Sequence, residues 1–462
     1  MKAIIFLFLF ILLASFDFAQ NQYDAASDAI KDNNYKKALS IAQECLSKDS
    51  TDTAIKILID LTAHDTSNKA AYEALGDAYS KMSVLELALQ NYDHAEKLDT
   101  LNVALKFKIG EALYKQKSYT DAANKFLQII TIDSNYAPAY FKVGEILYYA
   151  KQYSNAAYYL TKYLKFDQTN SRAFYYASHS LYLIQNFKQA SEEALLGVQK
   201  FPQMTDLKKI LSLSLTFDKN FTEGLKYLNE VPDSLYTGRE FLLVGSELLN
   251  AKMDSVAVIY FKKAMDKEPT LVNSLAETVA TTYYRSGNFD SAIVYYDKKI
   301  KSDSTSLSAH VNKALCMVQL KNFDGARIAL LQAEQIKSDY MPTLEWLGKT
   351  YQYMDSSDAA ADTYDKIIKL ASVDPDKNAK TLGDAYGSKA LILLLKKKYN
   401  PAIEPLKDAI KYDPNNAQYH LWLAQASALT NKKADAIREY KKTLQLDPTN
   451  ADAKKGLKIL GE

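Results

Sequence analysis

The chain has 462 residues, 48% of them hydrophobic and 24% charged, which is enough apolar material for a packed core and too much for a disordered chain. With 57 Lys plus Arg against 55 Asp plus Glu the formal net charge is +2, without the basic excess of a nucleic-acid binder. The charge is uneven, however. Residues 20–102 hold 8 Lys and 14 acids, net −6, whereas residues 383–462 hold 14 Lys plus Arg and 9 acids, net +5. Such an asymmetry would steer an acidic partner toward the C-terminal end; scattered surface charge is the alternative reading.

Met1 and Lys2 precede an apolar run over 3–16, followed by Asp17, Phe18, Ala19 and Gln20. This is the layout of a secretory signal peptide. About 14 helical residues reach roughly 21 Å, short of the roughly 30 Å bilayer core, so a cleaved segment is expected over residues 1–19. Asp17 fits the cleavage pattern poorly, which leaves an uncleaved anchor as the alternative and the only expected membrane contact. No Cys follows the run closely, against a bacterial lipoprotein. An exported protein, periplasmic or associated with the outer membrane, is expected. Cys45 and Cys316, the only two cysteines, lie in apolar helical faces some eight repeats apart, so buried thiols rather than a bridge are expected.

The rest of the chain is organised by a 34-residue period. In the unit that begins at Ala137, Tyr140, Val143, Gly144 and Leu147 fall at i, i+3, i+4 and i+7, one helix face, and a second helix carries Ala156, Leu160 and Tyr163. Neither helix can bury such a face alone. Units starting at Lys69, Val103, Ala137, Ser171 and Thr205 keep strict phase, with Gly76, Gly110, Gly144, Ser178 and Ser212 at the eighth place and Ala88, Ala122, Ala156, Ala190 and Gly224 at the twentieth. Further units start at Gly238, Asn273, Leu307 and Met341, and after an insertion over 375–382 at Gly383 and Ala417, which makes eleven. Small residues at places eight and twenty let two helices approach; large ones at places four, seven, eleven and twenty-four fill the space between them. The expected segments are divergent helices over 20–68, nine units over 69–374, the insertion, two units over 383–450 and a capping helix over 451–462. Tyr35, Ala38, Ala42 and Cys45 fit the second helix of a divergent unit, with an additional helix over 53–63. The aromatic-poor unit 205–237, with Gly224 and Pro232, and the insertion are candidate hinges.

With its Leu75-Gly76, Tyr79, Ala88, Tyr92 and Ala95 at fixed places, the unit from Lys69 resembles a tetratricopeptide repeat, as do ten further units in phase. The resemblance implies an all-α fold, a right-handed superhelical solenoid of antiparallel helix pairs, whose first helices line a concave surface. The Lys, Asn and Tyr-rich composition and the signal ending FAQ further resemble exported repeat proteins of the Bacteroidota envelope.

Chemistry is sparse. The five histidines fall in different units with no paired ligand spacing, and GxGxxG, P-loop and GxSxG motifs are absent. No enzyme, metal or cofactor is expected. His310 and His420 occupy place four and read as core residues. The face that the resemblance turns toward the concave side carries Phe107, Glu111 and Tyr114, then Phe141, Glu145 and Tyr148, then Tyr175, His179 and Tyr182, each trio at i, i+4, i+7. Two aromatic columns flanking an acidic one are expected to bind an extended peptide or helix of another protein, a basic one by preference; packing between neighbouring helices is the alternative. Glu73, Asp77, Glu111 and Glu145 disfavour capture of acidic tails, for which the family uses Lys and Asn. The expected function is a non-enzymatic scaffold of the bacterial cell envelope. The runner-up is a glycan-binding component of polysaccharide export or surface attachment, its rings stacking on sugars.

Overall fold

The computed structural model describes residues 18–462, so all but the last two residues of the expected signal segment lie outside the described residues. A helix over 18–31 is followed by 25 α-helices between Tyr35 and Leu460 and two single 3-10 turns, Asp233–Leu235 and Pro269–Leu271. No strand occurs among the described residues, and no described helix is long and apolar enough to cross a membrane. The chain divides into two compact bodies, one ending at Leu235 and one starting at Tyr236. Within each body every helix packs mainly on its two neighbours in the chain, which makes a solenoid of helix pairs and the all-α class expected from the period.

The 34-residue phase is visible in the caps. Asn34, Asn68, Asn102 and Asn170 each precede a 13-residue helix and accept a hydrogen bond from its first-turn backbone, so their side chains satisfy an otherwise orphaned N–H. The first helix then ends in a three-residue turn whose middle residue is left-handed, as at Ser83, Lys117, Lys151 and Gln185. Only Gly287 among these turn residues lacks a side chain; its φ is +76° and nothing lies within 4 Å of a Cβ built there. Gly287→Ala therefore meets backbone strain alone and is expected to cost about 1 kcal/mol, read as a shift in the denaturant midpoint of the full chain.

Helix starts at Lys69, Val103, Ala137, Ser171, Thr205, Gly238, Leu307, Met341 and Ala417 fall where the period puts them. Between the paired helices, place twenty-four is closed off from water in unit after unit: Tyr92, Phe126, Leu160, Phe261, Tyr296 and Leu406 are at most 2% exposed. The small residue at place eight is the seat for that side chain. A Cβ on Gly144 would sit 2.5 Å from Leu160 Cγ.

Three regions differ in detail from the sequence expectation. Tyr35–Ser47 is the first helix of a pair and not a second helix; its partner is Thr51–His64, and together they keep the phase 34 residues before Lys69. Ala42 takes place eight and Ala54 place twenty, both fully buried. The insertion splits its residues between a turn and a helix that starts at Ala379, four residues ahead of Gly383, and runs 17 residues to Leu395. Phe221–Glu230 is cut to 10 residues because Val231 precedes Pro232 and is drawn out of helical geometry. The boundary between the two bodies falls just after it, at Leu235.

Both cysteines are buried free thiols. Burial raises the Cys45 thiol and pushes that of Cys316 up to about 11, so neither is a reactive thiolate at neutral pH.

Candidate functional site

The inner places of the first helices are tied together by ion pairs that step from one unit to the next. Lys108 reaches back to Glu73 and Asp77, at 2.7 Å each; Lys142 reaches Glu111 at 2.9 Å; Arg172 pairs with Glu145. Each acid of the expected acidic column thus meets a cation of the following unit. Glu145 goes further and is buried, 4% exposed. This corrects the expectation of an acidic stripe that favours a basic segment: the four acids share three cations within the stack, so most of the acidic charge is already paired, and Lys108, Lys142 and Arg172 are the residues that sequence reasoning missed.

The aromatic columns also divide. Phe107 lies 5.3 Å from Phe126 and 5.6 Å from Tyr136, and Phe141 lies 5.3 Å from Tyr163, ring centroid to centroid, so both wedge into the stack and are only partly accessible. Further along the same helices the rings gather. Tyr148 lies 4.5 Å from Tyr176 and 5.8 Å from His179, with its hydroxyl 2.7 Å from His179 Nδ1. Tyr175 stacks on His179 at 5.4 Å, and Tyr182 continues the series at 6.4 Å. Tyr149 and Tyr176, not singled out from the sequence, join hydroxyls at 2.7 Å, and the Arg172 guanidinium donates to Tyr176 at 3.2 Å. A cleft of about 390 Å³ opens beside this cluster, walled by Tyr114, Tyr119, Ile146, Tyr149 and Ala150.

Four of these phenols are held in the protonated form. Burial raises Tyr114, Tyr148 and Tyr175 above the ordinary phenol range, and the hydrogen bond with Tyr176, followed by burial, does the same for Tyr149. The cluster therefore presents ring edges and neutral hydroxyls. That suits hydrogen bonding and stacking, and it supplies no nucleophile.

In the C-terminal body a second cleft, of about 590 Å³, runs between Met341–Tyr353, Ala379–Leu395 and Ala417–Leu429. Its walls are mixed: Glu345, Lys349, Lys380 and Asp384 beside Tyr419 and Trp422. Tyr419 donates to Asp384 at 3.1 Å, and burial lifts the Glu345 carboxyl above its usual range. The added helical turn ahead of Gly383, which carries Lys380 and Thr381, builds one wall. Of this cleft the sequence showed only the insertion.

His310 and His420 serve the core. His420 lies between Glu439, 2.7 Å away, and the Pro414 carbonyl, 3.1 Å away; His310 faces the Ser304 carbonyl at 3.2 Å. Among the described residues no group of three or more His, Cys, Asp or Glu could hold a metal ion.

Comparison with known proteins matches three stretches of the chain to family models. The tetratricopeptide repeat family model matches residues 73–138 and 392–451, and the model of anaphase-promoting complex (cyclosome) subunit 3 matches 250–333. A DnaJ homolog subfamily C member 7 homolog of Dictyostelium discoideum is 21% identical over 266 residues, 56% of this chain and 44% of its own length. Tetratricopeptide repeat protein 8 of Caenorhabditis elegans is 28% identical over 120 residues, 26% of this chain and 23% of its own. The chain thus spans less than half the length of the curated relatives it matches. Among solved structures it is similar to YrrB, described as a TPR protein with an unusual peptide-binding site, at 19% identity and TM-score 0.36, covering 40% of this chain and 96% of that one. With the 34-residue phase and the stacked helix pairs, the family matches identify repeats of the tetratricopeptide type in this chain.

Proposed function

We propose that this chain is a non-enzymatic interaction scaffold of a bacterial cell envelope, and that the aromatic face of the units from Val103 to Leu183 takes an extended peptide or a helix of another protein. The observation that carries the reading is Tyr149. This residue is 59% exposed on the edge of an open cleft, beside Glu111 and Glu145, whose charges are already paired within the stack. What remains unsatisfied there is aromatic surface, so the occupant is an uncharged, aromatic or aliphatic segment. The envelope assignment rests on the sequence, through the apolar run over 3–16.

A photoreactive residue in place of Tyr149 tests this in cell-envelope fractions. One discrete protein adduct is expected, absent when the same residue replaces Tyr158, which is equally accessible on a second helix at 55% exposure. Equal adducts from both positions, or Tyr149-dependent binding on a glycan array with no protein captured, would overturn it.

A further inference from the structure

The last two units end in an apolar groove that the capping helix Ala451–Leu460 leaves open. It holds about 570 Å³ and is lined by Leu391, Leu394, Trp422, Leu429, Ile459 and Leu460. At its rim the apolar surface is unusually bare: Leu395 is 75% exposed, Leu429 60% and Ile459 74%. All three stand at or beside the C-terminal ends of their helices. A cap on a repeat stack ordinarily turns a polar face to water. Here Lys454, Lys455 and Lys458 do so, but Ile459 does not.

The surrounding charge is mostly positive, with Glu462, held by Lys441 at 2.6 Å, as the neighbouring acid. Lys397 and Lys398 follow Leu395, Lys433 stands four residues after Leu429, and Lys458 adjoins Ile459; all four are exposed, and none forms an ion pair among the described residues. Nearby, Lys396 is held by Asp358 at 2.6 Å and Lys432 by the Asn400 side chain at 3.3 Å. This cluster is the local source of the net +5 over residues 383–462.

Charge and shape choose between occupants. A second copy docked face to face would bring the same lysines against each other, which disfavours self-association. A bilayer would meet the rim leucines but not Leu391 or Trp422 in the floor. An amphipathic helix satisfies both features, because its apolar ridge fills a groove while its flanks meet the rim. We propose that this groove docks a helix of a partner protein, with apolar residues at i, i+3, i+4 and i+7 and with Asp or Glu on both flanks. The site lies in the C-terminal body, apart from the Tyr149 face, so either can fail alone.

The full chain carrying Trp346→Phe leaves Trp422 as its single tryptophan and reporter. It is titrated with a designed amphipathic helix in three versions: Glu-flanked, Lys-flanked, and Glu-flanked with scrambled apolar spacing. The Glu-flanked helix is expected to shift Trp422 emission to the blue and to bind at least tenfold more tightly than either control. Raised salt is expected to weaken it. Leu429→Ser with Ile459→Ser should abolish the shift while far-UV circular dichroism stays unchanged, and Tyr149→Ser should leave binding intact. Equal binding of all three peptides, no shift with any, binding to phosphatidylglycerol vesicles in place of the peptide, or a dimer that Leu429→Ser dissolves would each overturn the proposal.

Discussion

Gly110→Val is expected to destabilise the N-terminal body by about 2–3 kcal/mol, the cost of overpacking a filled site. A Cβ at Gly110 would lie 2.6 Å from Phe126 Cε1. That ring cannot swing aside, because Phe126 is fully buried among Ala122, Ile129, Ala139 and Val143. The gain in helix propensity on replacing glycine, about 0.5 kcal/mol, offsets little of this. The paired effect is the more telling one. Phe126→Leu alone opens a cavity, but in Gly110→Val/Phe126→Leu the smaller side chain makes room for the larger, so the double variant should be more stable than the sum of the singles by about 1 kcal/mol or more. Urea denaturation of the four proteins measures this. Additive losses would mean that places eight and twenty-four do not set the distance between the helices.

The second large effect is expected at His420→Leu. The His420 ring is buried, with Nδ1 2.7 Å from Glu439 Oε2, while Glu439 Oε1 accepts from Arg438 Nε at 2.9 Å. Burial pushes the Glu439 carboxyl up, yet the hydrogen bonds from His420 and Arg438 outweigh it and hold the group below its usual range. Leucine would leave a buried carboxylate with half its partners, at a cost of about 3 kcal/mol at neutral pH. The pH dependence follows from the direction of the shift. A carboxyl depressed in the folded state contributes its full stability above its unfolded pKa, near ~4.3, and loses it as pH falls through the lower folded value. The denaturation midpoints of wild type and His420→Leu should therefore converge in acid and stand furthest apart near neutrality.

The architecture was legible because it is written in side-chain volume. Glycine and alanine at places eight and twenty, with large residues between, have one physical use in paired helices, and nine first helices begin at the residue the count gives. The same rule hid the unit at Tyr35. Its seats are Ala42 and Ala54, its place twenty-four is Leu58, and neither Leu-Gly nor an aromatic at a core place marks it. Asn34, one period before Asn68, was the available signal.

The candidate site was less legible because it depends on partners 27 to 35 residues apart. By its place alone Glu145 is an exposed inner acid, but Arg172 of the next unit lies beside it, as Lys108 lies beside Glu73 and Asp77. Place numbers say which face a residue occupies but not what the next unit lays against it. Tyr149 and Tyr176 are hidden for the same reason, since their contact depends on the offset between adjacent helices. The two clefts of the C-terminal body depend on the added turn before Gly383 and on where the helix Ala451–Leu460 stops, neither of which the repeat pattern specifies.

The central claim is that the stack and the binding face are separate sets of residues on the same helices. Tyr148→Ser/Tyr149→Ser tests it most directly, with partner capture and thermal unfolding measured on one preparation. The expected result is loss of the captured protein with an unfolding transition within a few degrees of wild type. Unchanged capture, or loss of capture accompanied by unfolding of the N-terminal body, would contradict the account and return these tyrosines to the packing of the stack.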